Sequence, residues 1–224
     1  MAGCRGRSAT AARGMMLTPL SAQRRLVSVA SHLRTSTSAS TSTTVPSRPL
    51  FPGGPLVSAI GFGAWPIGGG LGVVAEETGR EAVRTAVRTG QSFIDTAEMY
   101  EKATDTAERL AGTGQVGSET VIGRALAGHP ELLRDAFYAT KVSAMPYTRA
   151  RIRDAVAESL ARLQTHEIDL FQLHSVDKGT PWQEQMAALQ ELKSEGIIHF
   201  IGLNNANVQQ LEAAWATGVR FHTL

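Results

Sequence analysis

From residue 76 onward, apolar positions recur at helical spacing, then in short unbroken runs, and the two patterns alternate to the end of the chain. Residues 76–89 read as a helix closed by Gly90, followed by a short buried strand over 92–95. Ser118 is placed to cap a helix running to Leu126, and 136–141 is the next strand. Thr148 caps a helix with Ile152, Val156, Leu160 and Leu163 on one face. A continuous apolar strand follows over 168–174. Thr180, Pro181 and Gln183 fit a capping box that opens a helix ended by Gly196. A strand over 197–203, a helix over 207–217 and the start of another strand over 219–224 complete the series. Short apolar strands separated by amphipathic helices are the pattern of parallel βαβ units, an α/β fold.

Residues 49–75 carry no charge, a length that could cross a bilayer. Pro55, Pro66 and six glycines between Gly61 and Gly72 make it a poor helix, so it reads as a buried strand over 56–61 leading into a glycine-rich loop, with no membrane span.

Two parallel architectures compete, the doubly wound sheet and the TIM barrel. A dinucleotide fingerprint G-x-G-x-x-G fails, because Gly61 and Gly63 are followed by Pro66 where the third glycine belongs. Instead each successive strand ends on a chemically capable residue: Asp95, Lys141, His174, then Asn204 and Asn205. In a barrel such ends converge on one rim, where active sites lie, and this favours the parallel (β/α)8 barrel.

That set suits proton transfer to a developing alkoxide. Tyr100, five residues past Asp95, can fold back over the rim; an adjacent Lys141 ammonium would lower its pKa, and Asp95 would balance Lys141. His174 can hydrogen-bond and orient a substrate oxygen. Singly, each of these residue types is more often structural, and the ordered recurrence on successive strands is what carries the reading.

Composition divides the 224 residues in two. The first 49 hold seven Arg, no Lys, Asp or Glu, and sixteen Ser or Thr, which leaves 15 basic against 20 acidic residues in the remainder. An Arg- and Ser-rich, acid-free leader has the composition of a plastid or mitochondrial transit peptide, with 35–49 as a linker; a basic tail is the alternative. The domain organisation is thus a leader over 1–49 and a folded body over 50–224. Cys4 is the single cysteine, which excludes an internal disulfide or a Cys-based zinc knuckle, and no metal site is expected. Because the arginines crowd the leader, no nucleic-acid face is expected on the body.

The runs GQSFIDTAEMY (90–100), GSETVIGRAL (117–126), ATK (139–141), SLARLQTHEIDLFQLH (159–174) and GIIHFIGLNN (196–205) together resemble the aldo-keto reductase family over about residues 55–224. The resemblance implies a barrel that uses NADPH, with NADH possible, to reduce an aldehyde or ketone. It makes Tyr100 the proton donor, Asp95 and Lys141 its tuners and His174 the group that orients a small carbonyl substrate. It also implies that Asn205 holds the nicotinamide carboxamide, with Asn204 where Ser is usual, and that Trp65, Met99 and Asp95 border the cofactor or substrate.

Two features depart from the family pattern. The stretch 101–114 is an insertion expected to border the substrate mouth. The sequence also stops at Leu224, within what would be strand six, so about six of eight βα units are expected, with open edges at strands one and six. The expectation is a reductase for the complete product and weak or absent cofactor binding for the chain as written. The rival reading is a catalytically inactive truncated barrel, either an incomplete gene model or a regulatory binding protein.

Overall fold

The computed structural model describes residues 45–101 and 114–224. The expected leader, apart from its last five residues, and most of the insertion lie outside the described residues.

Five parallel strands form one sheet in chain order: β3 (Phe62–Gly63), β4 (Phe93–Asp95), β5 (Phe137–Val142), β6 (Ile168–Leu173) and β7 (Ile198–Leu203). Thr223 adds a parallel bridge to Gly202, on the side where a sixth strand would continue the order. Helices α1 (Glu76–Arg88), α2 (Ser118–Leu126), α3 (Pro130–Asp135), α4 (Arg149–Leu163), α5 (Trp182–Ser194) and α6 (Val208–Trp215) alternate with the strands.

Alternation along each strand sorts the side chains into two layers. Ile94, Tyr138, Val142, Phe171, Leu173, Ile201 and Leu203 are buried in the cluster shared with Val83, Val121, Ile152 and Leu189 of the helices. A second, smaller cluster joins Phe93, Phe137, Ala139, Leu170 and Phe200 on the sheet's other face. Phe137 stacks on Phe93 at 5.3 Å and on Phe200 at 6.4 Å. A hairpin of β1 (Ser47–Pro49) and β2 (Leu56–Ser58) closes this inner layer with Val57 and Leu50. Phe51, in the turn of that hairpin, meets Phe200 edge-on at 5.3 Å. The same parity that turns Phe93 and Phe137 inward also turns Asp95 and Lys141 inward, two and four residues nearer the C-terminal rim.

Three expectations are corrected. The strand expected over 56–61 is the antiparallel hairpin strand β2; the parallel strand is only Phe62–Gly63, after a bend. An uncharged run records burial but not pairing, and here Ser58 Oγ takes the Phe93 N–H at 3.0 Å before the chain turns. Gly117, not Ser118, occupies the N-cap of α2, because the Ser118 hydroxyl is committed to Thr96. The box expected at Thr180 does not form: α5 starts after Pro181, and Gln185 Nε2 instead donates to the carbonyls of Asp177 and Thr180. A capping box does form at α6, where Asn207 and Gln210 exchange bonds of 2.9 and 2.8 Å. The short helix α3 went unread, since six residues carry too little periodicity to register.

Candidate active site

The ends of β4, β5 and β6 bring Asp95, Lys141 and His174 to one rim, and the 3₁₀ turn Glu98–Tyr100 carries Tyr100 over them. Lys141 is buried, and its Nζ donates to Asp95 Oδ2 at 2.9 Å and to the Thr96 carbonyl at 2.8 Å. A buried ammonium without such partners would be strongly disfavoured. The same Nζ lies over the Tyr100 ring, 5.3 Å from its centroid. The His174 ring meets Tyr100 edge to face, with centroids 5.9 Å apart. Four residues read from four separate segments therefore form one cluster.

Electrostatics corrects one part of the reading. Burial, and then the Asp95 charge, push the Tyr100 phenol above its ordinary value. The net shift is opposite to the lowering expected from Lys141: burial and the Asp95 charge outweigh the ammonium, whose Nζ is bonded to Asp95 and the Thr96 carbonyl. Burial, and then Lys141, hold His174 below its ordinary value, so its imidazole is neutral at pH 7.

Other side chains hold this cluster in place. Ser143 Oγ lies 2.8 Å from His174 Nδ1 and fixes the ring. Glu98, buried two residues before Tyr100, accepts the Ser143 N–H at 3.0 Å and pairs with Arg151 of α4. Gln172 sits inward beside Lys141 in the strand register and accepts from Asn204 Nδ2 at 3.0 Å. Sequence reasoning missed Ser143, Glu98 and Gln172. The parity of 139, 141 and 143, and of 170, 172 and 174, was the available signal for Ser143 and Gln172.

Asn204 and Asn205 follow β7. Asn205 has a left-handed φ of 55° and donates from Nδ2 to the His174 carbonyl at 2.7 Å. Both asparagines spend their amide nitrogens on the protein, and their side-chain oxygens face no donor among the described residues. A carboxamide N–H₂ is a fitting donor to such oxygens, so this pair of acceptors suits a nicotinamide. Asp95, Gln172 and Asn204 border a cavity of about 630 Å³ that Leu170, Phe221 and Thr223 also line. A larger groove of about 720 Å³ lies along α1 and Phe62, away from these groups. Trp65 stands half exposed against Gly70, and Met99 is partly exposed beside Tyr100.

Residues 59–222 match the Aldo/keto reductase family. The chain belongs to this family. Aldo-keto reductase YhdN of Bacillus subtilis is 34% identical over 165 residues, which cover 69% of this chain and 45% of that protein. L-galactose dehydrogenase of Arabidopsis thaliana is 35% identical over 154 residues, 66% of this chain and 44% of that one. The structure of an aldo/keto reductase from Klebsiella pneumoniae in complex with NADP and acetate superposes with a TM-score of 0.59 at 30% identity, covering 75% of this chain and 52% of that one. The chain thus spans about half the length of the relatives it matches. Its five parallel strands and their helices are part of an aldo-keto reductase barrel. Among the described residues no helix is long and apolar enough to cross a membrane.

Proposed function

We propose that the protein reduces the carbonyl of a small aldehyde or ketone to an alcohol with NADPH, NADH being a possible substitute. The observation that carries this is the cluster in which Lys141 bridges to Asp95 at 2.9 Å while lying over the Tyr100 ring, with His174 edge-on to the same ring. The relatives' names, and the NADP in the Klebsiella complex, support the same chemistry.

In this reading Tyr100 is the general acid. Its raised pKa keeps the phenol protonated at neutral pH, ready to give its proton to the oxygen as charge develops there. The buried Lys141 ammonium then stabilises the phenolate left behind. Asp95 holds Lys141 charged. With the Ser143 hydroxyl donating to Nδ1, neutral His174 presents Nε2–H to the carbonyl oxygen and orients it beside Tyr100. Asn204 and Asn205 would hold the carboxamide of the nicotinamide, which when bound supplies the hydride.

Loss of reduced-nicotinamide absorbance with a panel of aldehydes and ketones tests the proposal. Turnover that disappears in Tyr100→Phe supports it; turnover of the same size in that variant removes Tyr100 from the mechanism. The leader over 1–49, by its composition, is proposed to direct the protein to a plastid or mitochondrion.

A further inference from the structure

The first three residues of α2 each grip a neighbour of a different site residue. Ser118 Oγ lies 2.7 Å from Thr96 Oγ1, and Thr96 follows Asp95 and gives its carbonyl to Lys141. Glu119 Oε1 accepts the Thr140 hydroxyl at 2.5 Å, and Thr140 precedes Lys141. Thr120 donates its backbone N–H and its hydroxyl to the Glu101 carboxylate at 2.9 and 2.8 Å, and Glu101 follows Tyr100. Three consecutive side chains thus reach the three segments that bear Asp95, Lys141 and Tyr100.

The arrangement is costly unless every member is bonded. Ser118, Glu119, Thr96 and Thr140 are all fully buried between the sheet and α2. Apolar side chains would fill that layer without a desolvation penalty. Glu119 adds a carboxylate, whose second oxygen accepts Arg162 Nε of α4 at 2.7 Å. A buried polar network of this kind permits one arrangement and penalises the others. Neighbouring residues on a strand face opposite ways, so fixing the outward Thr140 fixes the direction of the inward Lys141.

We propose that Ser118, Glu119 and Thr120 are positioning residues that set the spacing of Lys141, Asp95 and Tyr100 from behind the sheet. The geometric part stands by itself; the catalytic consequence rests on the carbonyl-reduction reading above.

The test follows the Tyr100 phenol by NMR of ring-labelled tyrosine, assigned with Tyr100→Phe, in cofactor-free protein. Thr140→Val replaces a hydroxyl by a methyl of similar size and releases Lys141, so the Tyr100 titration moves upward; Thr140→Ser keeps the hydroxyl and stays with the wild type. Thr120→Val removes the hydroxyl bond to Glu101 and leaves the backbone one, which loosens the Tyr100 turn toward water and relieves its burial, so there the titration moves downward. If Thr140→Val fails to fold, the partly exposed Thr120 site carries the test. In turnover, Thr140→Val lowers kcat about tenfold with KM nearly unchanged, and Thr140→Ser restores it. Variants that lose thermal stability but titrate at the wild-type pH would assign these residues a purely structural role and overturn the proposal. A wild type that reduces no carbonyl would refute the reaction reading, while the titration would still decide the positioning one.

Discussion

The Lys141 ammonium donates to Asp95 Oδ2 at 2.9 Å with the lysine buried and the carboxylate about one-third exposed. This asymmetry separates the effects of the two partners. Asp95 raises the Tyr100 pKa, second to burial, so Asp95→Asn shifts the phenol titration downward. Lys141→Met leaves a partly hydrated carboxylate, and its stability cost is about 1–2 kcal/mol, below that of a fully buried pair. A phenol titration and a urea midpoint check the two statements; an upward shift in Asp95→Asn would contradict the first.

Gly68 lies where the glycine-rich loop passes behind Tyr100. A Cβ there would come within 2.6 Å of the Tyr100 carbonyl oxygen and 3.1 Å of the Ser118 nitrogen, both backbone atoms. Gly68→Ala must therefore move the Tyr100 turn, at a stability cost of about 1–3 kcal/mol from overpacking. A displacement near 1 Å lowers kcat about a hundredfold. Steady-state kinetics and thermal melting of the variant check this, and unchanged kcat would mean that Tyr100 tolerates the shift.

Two histidines make stability depend on pH in a definite sense. Burial and then Lys141 lower His174, and burial and then Lys193 lower His222, both from an ordinary value of 6.5. Below that value the unfolded chain takes up protons that the folded one refuses. Stability therefore falls as pH drops through 6.5 toward the folded-state values and is fully regained above 6.5. Urea midpoints across this window should decline on acidification, and the decline should flatten in the His174→Gln, His222→Gln double variant. A flat wild-type profile would contradict the assignment.

The strand-end residues were legible because parallel strands place their C-terminal ends on one rim, so Asp95, Lys141 and His174 needed only correct strand boundaries. The hairpin was not legible. Residues 49–75 are uncharged throughout, and such a run does not distinguish an antiparallel hairpin from a barrel strand. The direction of the Tyr100 shift was also beyond the sequence, because it depends on how deeply the phenol is buried and how near the Asp95 charge lies, and neither is visible in residue spacing. Glu119 was not legible: a carboxylate in the first turn of a helix usually faces water at the helix N-terminus, whereas here it is fully buried and bonded to Thr140 and Arg162.

The leader makes a separate prediction. Residues 1–49 fused ahead of a fluorescent reporter should carry it into plastids or mitochondria, because the segment pairs seven arginines with no acidic residue. A reporter that stays diffuse in the cytosol would contradict this.

The most direct test of the reaction is a comparison of wild type and Tyr100→Phe in which NADPH oxidation and NADPH binding are both recorded. The mechanism predicts carbonyl-dependent oxidation in the wild type, a loss of about 10²–10⁴-fold in the variant, and similar NADPH binding by both. Carbonyl-dependent oxidation of equal rate in the two proteins, or NADPH binding with no turnover of any aldehyde or ketone, would contradict it.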